Sequence, residues 1–463
     1  MAAGGDRAGG DDRVGGAARA GLTRRLAEAA LAVRFDALPA DARRVARDCL
    51  IDWLGCCIAA LDQPVGRIVA DAAREEGGHP QATILGRGWQ GSTAQAALVN
   101  GTLSHALDYD DVNLAVPGHL SVAIVPGLLA LAEQRNASAA DFAAAFVAGY
   151  EFACRVGRLV EPAHYANGFH ATATIGCLGA AVACSHLLGL TSTQACHAIG
   201  IAATQAAGLK AMFGSMAKPL HAGLAAQTGL RAAQLARRGL TSRDDALECG
   251  QGFAAVHGRD FFAEAATAAP PGGFHLYGNL FKFHAACYST HAAIEAAAAL
   301  RREHSIDPRT VRAIEVIAGD GCSICNIQSP TTGLEAKFSL RACAAFSLLA
   351  MDTSGLEIWD RVSEPQVRSL TERVRVRLVP EMGLSDATVG IMLDDGRELR
   401  RTCDCGTPIA DKALQSERVL AKFRSIAGPV LGARSTTLLC RRLDRFEAMP
   451  DFAEVFGILS EAA

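Results

Sequence analysis

The sequence predicts a mainly α fold, a large all-helical domain joined to a smaller α+β part, and three observations carry that prediction. From about Leu22 to Gly252 apolar residues recur at three- and four-residue spacing between turn signals. After the run Ala269-Pro-Pro-Gly-Gly273, short segments alternate with a period of two. Past Cys405 the helical spacing returns.

Met1 to about Ala20 is Gly, Ala, Asp and Arg without periodicity and reads as a disordered tail, residues 1–20, without the apolar core of a signal peptide. Helices are expected over Ala42–Leu61, Ser121–Gln134, Ala139–Val156, Ser192–Ala207 and Ala217–Arg238. Ser138 ahead of Asp141 and Thr191 ahead of Gln194 are N-cap signatures. Ala171–Leu190 is apolar enough to pass for a membrane span, but it is built from Ala and Gly and carries His186, so a buried helix is expected. The Pro-Pro-Gly-Gly run marks a boundary, giving a helical domain over residues 21–270. In the α+β domain, residues 271–404, strands are expected at Arg312–Gly319 and Val374–Leu378. A hairpin should turn at Asp394-Asp395-Gly396, with helices at Thr290–Arg302, Leu340–Met351 and Gln366–Glu372. Residues 405–463, helical at Asp411–Ile426 and Ser435–Leu443, should rejoin the first domain.

The 463 residues exceed what one core supports, since single cores stop growing at about 250–300 residues. Half the residues are apolar and only 20% are charged, with Ala and Gly abundant, so close helix contacts are expected. A net charge of −3 with scattered Lys and Arg gives no general attraction to nucleic acid or an anionic membrane; the expected partner is a small molecule. The 15 cysteines are odd in number and mostly sit in alanine-rich helical segments, as small buried hydrophobes in a reducing, cytoplasmic compartment. Cys322-Ser-Ile-Cys325 and Cys403-Asp-Cys405 lack a second pair at ligand spacing, so no metal centre is expected there.

The chemistry concentrates in His105-Ala-Leu-Asp108-Tyr-Asp110-Asp111 and Gly118-His119-Leu-Ser121, three carboxylates and two imidazoles in one short stretch. Three neighbouring buried carboxyls cannot all ionise without cations or raised pKa values. A cap or a solvated loop is the bland alternative. His170 stands at the start of the apolar helix near Ala171, where a lone histidine is most often a cap. Lys210 and Lys218 place ammonium groups in an otherwise apolar segment, where an anionic substrate would compensate them. Lys218, just before Pro219, should start a helix or lie in a turn. In Lys282-Phe-His284-Ala-Ala-Cys287-Tyr-Ser-Thr-His291 a thiol stands between two imidazoles and near a lysine, fit for acid/base work or merely a buried Cys. Together these segments suggest an anion-binding pocket between domains with proton-transfer groups around it.

The ordered set HALDYDD, GHLS, GFHATATIGCLGAA, ATQAAGLKAMFGSMAKPLHAG, KFHAACYSTH and EAKFSL resembles the MmgE/PrpD family, from about Leu22 to Val455. That family includes 2-methylcitrate dehydratases, cis-aconitate decarboxylases and iminodisuccinate epimerases. The resemblance implies a discontinuous helical domain, an α+β lid, a homodimer, and no required cofactor or metal. It implies catalytic roles for Asp108, His119, His170, Lys218 and Cys287, with Lys210, Lys282 and His291 as substrate-binding residues.

Three departures stand out. Val112 replaces the threonine of the decarboxylases' HxxDFDDT, Cys287 replaces their histidine, and Leu120 replaces the proline of GHPS, with one extra residue between Asp108 and His119. They turn the expectation away from decarboxylation. The expected activity is a cofactor-independent lyase removing water, or another β-leaving group such as phosphate, from a small carboxylated substrate, 2-methylcitrate dehydratase-like or recruited to a specialised pathway. An epimerase of an iminodisuccinate-like dicarboxylate, a cis-aconitate-type decarboxylase and a non-catalytic dimeric binding protein are the alternatives.

Overall fold

The computed structural model describes residues 21–462; the segment expected to be a disordered tail lies outside the described residues. The chain opens with α1 (Leu22–Leu31), α2 (Ala40–Ala59) and α3 (Pro64–Glu76). An antiparallel pair, β1 (Ala82–Ile84) and β2 (Trp89–Gly91), follows, with Ile84 opposite Trp89. The sequence predicts a wholly helical region here; strands of three residues are too short to show a period of two.

The helical domain continues with α4 (Thr93–His105), β3 (Val112–Asn113), α5 (Leu120–Arg135), α6 (Ala139–Val160), α7 (Gly176–Leu187), α8 (Ser192–Ala203) and α9 (Ala217–Arg237). Ser138 accepts from the Asp141 N–H, and Thr191 with Gln194 forms a full capping box, as their spacing predicts. The stretch expected as one helix from Ala171 is instead a single turn, Ala171–Thr174, followed by α7. It is buried in the core, and among the described residues no single helix is long and apolar enough to cross a membrane.

Small residues let the helices touch. A Cβ on Gly101 of α4 would stand 2.7 Å from the Gly223 Cα of α9, and one on Gly149 of α6 would stand 2.4 Å from the Gly179 carbonyl of α7. Both crossings therefore require glycine.

Beyond the Pro-Pro-Gly-Gly turn, β4 (Asn279–Leu280) pairs antiparallel with β3, Val112 opposite Leu280. This pairing ties the segment before Lys282 to the loop that carries Asp108. Then come α10 (His291–His304), β5 (Val311–Gly319), α11 (Leu340–Leu348), α12 (Pro365–Thr371), β6 (Val374–Val379), β7 (Asp386–Leu393) and β8 (Glu398–Asp404). The sheet order is β6-β5-β7-β8, with β5 and β6 parallel and the other pairs antiparallel. The β7–β8 hairpin turns at Asp394-Asp395-Gly396, where Gly396 has φ 86°.

The chain ends with α13 (Lys412–Asp444), one helix broken at Gly432, and α14 (Ala453–Ala462). Val419, Phe423 and Leu443 of α13 join the first hydrophobic cluster, and Phe423 packs directly on Gly55 of α2. A second cluster, with Val311, Val316, Val389 and Ile391 at its centre, fills the space between the sheet and its helices. Leu276, Phe281 and Ala285 still pack with the first cluster, so helical-domain packing continues past Gly273.

Candidate active site

The site is built around the loop that follows α4. Asp108 sits at φ 51°, a left-handed conformation that aspartate tolerates better than most residues. Its Oδ1 lies 2.8 Å from Lys218 Nζ and 2.9 Å from Lys282 Nζ, and Lys282 also donates to the Asp108 carbonyl at 2.6 Å. His119 Nε2 stands 3.5 Å from the same oxygen.

Asp110 lies between two imidazoles, its Oδ1 2.9 Å from His105 Nδ1 and its Oδ2 2.7 Å from His119 Nδ1. Asp111 turns away, accepting from Ser121 Oγ at 2.7 Å and Asn279 Nδ2 at 2.6 Å. Lys422 of α13 reaches in from behind: its Nζ lies 2.6 Å from Asp52 Oδ1 of α2 and donates to the Tyr109 carbonyl at 2.6 Å. The C-terminal helix is thus tied to the loop that carries Asp108 and Asp110.

Burial works against charge at all three carboxyls. Lys218 and then Lys282 outweigh it at Asp108, and His105 and His119 do so at Asp110, holding both well below the usual carboxylate range. Asp111 pairs with no cation among the described residues; burial and the nearby Asp52 carboxyl push it up to about 7. Among the imidazoles, burial brings His105 down to about 4 and lowers His119, while burial and then Lys218 take His170 well below its ordinary value. The pocket therefore sets imidazoles lowered from their ordinary range beside lysine side chains.

His170 precedes the Ala171–Thr174 turn, its N–H donating to the Gly208 carbonyl at 3.0 Å, while the Lys210 N–H donates to the Gly168 carbonyl at 2.8 Å. The GFH and GLK motifs therefore brace each other. His170 Nδ1 lies 3.1 Å from His221 Nδ1, and Phe213 meets the ring edge-on at 4.9 Å. Its Nε2 is buried without a hydrogen-bond partner among the described residues, as is His105 Nε2.

A cavity of about 70 Å³ is lined by Asp108, His119, Tyr165, His170, Lys218 and Cys287. Asp108, Lys218 and Phe338 also line a wider groove of about 530 Å³, into which His105, Lys337 and Trp359 face. All five residues expected to be catalytic thus meet at one cavity.

Three other expectations change. Lys282 is fully buried behind Asp108 and orients that carboxylate rather than lining the cavity. Lys210 lies with its Nζ 3.4 Å from the Tyr165 ring centroid and donates to the Tyr165 carbonyl, outside the cavity lining. His291 packs against His284 and Tyr288 and lines a separate cleft of about 450 Å³. Nor is Cys287 paired with either imidazole: His284 pairs with Thr353 and Glu295, and His291 packs against His284 and Tyr288. Spacing in a loop fixes proximity along the chain but not the direction of each side chain.

The expected site residues do not include His105, Asp110, His221, Lys337 or Lys422. His105 and Asp110 lie inside the acidic motif and were recoverable from it. Lys422 has no local signal, because its partners are 370 and 313 residues away.

Atoms of His105, Asp108, Asp110 and His119 lie within 4.8 Å of one another, a geometry of the kind that holds metal ions. Here the donors are already committed, Asp108 to two ammonium groups and Asp110 to two imidazoles.

Fold and site together set histidines, an aspartate, a cysteine and a lysine around one buried cavity. The chain belongs to the MmgE/PrpD family: residues 24–265 match the MmgE/PrpD N-terminal domain and residues 284–444 the MmgE/PrpD C-terminal domain. It is similar to the cis-aconitate decarboxylase of Aspergillus terreus, 26% identical over 442 residues covering 89% of this chain and 90% of that protein. The human cis-aconitate decarboxylase is 28% identical over 436 residues, covering 89% and 88%. A cis-aconitate decarboxylase-like protein of Aspergillus oryzae is 30% identical over 283 residues, covering 58% and 59%. The chain is an enzyme of the lyase class.

Proposed function

We propose that this lyase removes water, or another β-leaving group, from a small polycarboxylate. The observation that carries the reading is His170 Nε2, a neutral, buried nitrogen in the cavity wall with no hydrogen-bond partner among the described residues. A neutral imidazole is a base.

In the proposed reaction His170 Nε2 takes the proton from the carbon beside a substrate carboxylate. Lys218 neutralises that carboxylate and the charge that develops on it; Asp108 and Lys282 fix the position of the Lys218 ammonium. The carbon–oxygen bond to the leaving group then breaks, the alkene forms, and the Cys287 thiol gives its proton to the departing hydroxide. The Cys287 thiolate and the His170 imidazolium return to their starting forms by exchange with solvent. Asp110 keeps His105 and His119 oriented throughout.

Decarboxylation is the second reading, favoured by the names of the full-length relatives. There Lys218 would hold a carboxylate that stays, and Cys287 would protonate the carbon that loses carbon dioxide. Cys287 and His170 facing one cavity would also serve a two-base epimerase.

The test is proton NMR in deuterated water with 2-methylcitrate, citrate, cis-aconitate, iminodisuccinate and β-phosphorylated acids. New vinylic signals with release of water or phosphate are expected. Carbon dioxide release from cis-aconitate would replace this reading with the second, and α-proton exchange without an alkene would replace it with the epimerase.

A further inference from the structure

The EAKFSL segment has no part in the proposed reaction, yet it meets the site twice. Phe338 lines both the cavity and the wider groove of about 530 Å³, as Asp108 and Lys218 do, so the two spaces adjoin at these three residues. Lys337 lines the groove but not the cavity. Its backbone is fixed from two sides: Thr332 and Glu335 form a capping box on the short helix Gly333–Lys337, and the Lys337 carbonyl accepts the Cys287 N–H at 3.0 Å. The Lys337 side chain is therefore carried by the same stretch that braces Cys287 at the cavity wall.

Every other lysine of the chain has a partner. Lys218 and Lys282 share the Asp108 carboxylate, and Lys422 has Asp52. Lys210 donates to the Tyr165 carbonyl and Lys412 to the Ile409 carbonyl. Half-buried Lys337 makes no ion pair or side-chain hydrogen bond among the described residues. Glu357 and Asp360 also line the groove, but both are exposed, and Asp360 Oδ1 is seated against Gly333, where a Cβ would meet it at 2.3 Å. Burial holds the Lys337 ammonium below the ordinary lysine range against the Asp108 and Asp360 charges, a cost that a bound anion would offset. Buried Phe338 and Trp359 form apolar wall beside it, where a charge pair is stronger than in water.

We propose that Lys337 is a specificity-determining residue that binds a second carboxylate of the substrate in the groove, while Lys218 holds the carboxylate beside the reacting carbon. The inference rests on the polycarboxylate reading above and narrows it. The substrate carries at least two carboxylates, far enough apart to lie on either side of the junction at Asp108, Lys218 and Phe338. An acid with one carboxylate engages Lys218 and leaves the Lys337 ammonium unanswered, so it binds weakly.

The test is a ligand-observed NMR titration of the full-length protein with tricarballylate and with butyrate, acids of three carboxylates and one, neither of which has a β-leaving group. Wild-type protein should bind tricarballylate the more tightly. Lys337→Met should weaken tricarballylate at least about tenfold and change butyrate less than about twofold, and Lys337→Arg, which keeps the charge, should restore most of the loss. Lys337→Gln reads the same ratio should the Met variant not fold. Unchanged tricarballylate binding in the folded Met or Gln variant, an equal loss for both acids, or a wild type that does not distinguish them overturns the proposal. The titration reads no turnover, so a failed elimination test with this ratio intact removes the lyase reading alone. Elimination with an unchanged ratio removes the Lys337 assignment alone.

Discussion

His170 shows how the environment of one residue sets the charge of its imidazole. Left in water its imidazole would be half charged near pH 6.5; buried 1% exposed beside the Lys218 ammonium, it stays neutral. Lys218→Ala removes the cation that answers the substrate carboxylate and should lower kcat/KM at least about a hundredfold, measured by steady-state kinetics on the accepted acid. Cys287 is the opposite case, a thiol brought down to about 7. As the proton donor it works only while protonated, so kcat/KM should fall about tenfold per pH unit above pH 7, and Cys287→Ser should abolish that limb of the profile. A wild-type profile flat from pH 7 to 9 would contradict the assignment.

Elements were legible in the sequence where burial has a regular period. The helices from Ala40 to Arg237, the caps at Ser138 and Thr191, and the hairpin at Gly396 follow from spacing and turn chemistry. The β1–β2 pair and the break after Thr174 did not, since each depends on only a few residues. The role of α13 was equally hidden, because no local pattern tells that Lys422 will meet Asp52 and Tyr109. Lys422→Met should strand a buried carboxyl and free the Tyr109 carbonyl. It should destabilise the fold by about 3–5 kcal/mol in urea unfolding, and lower turnover even in the folded fraction. Wild-type stability would show that α13 does not hold the loop.

At the scale of the whole molecule, the five residues that converge at the cavity come from the α4–α5 loop, the start of the Ala171 turn, the start of α9 and the segment before α10. Motif resemblance brought these together where periodicity alone offered only separate histidines and lysines. The same resemblance placed Lys210 and His291 in the site, and packing sends both elsewhere. Sedimentation equilibrium should give a mass twice that of the 48.3 kDa chain, the homodimer that the family resemblance implies; a single-chain mass would count against it.

The claim that His170 takes a proton from carbon is tested most directly by deuterium wash-in. The accepted acid would be incubated in deuterated water and its α-hydrogen followed by NMR. Wild-type enzyme and Cys287→Ser should both exchange that hydrogen, the variant with elimination slowed, whereas folded His170→Ala should exchange it at least about a hundredfold more slowly. Exchange by His170→Ala at the wild-type rate would contradict the account.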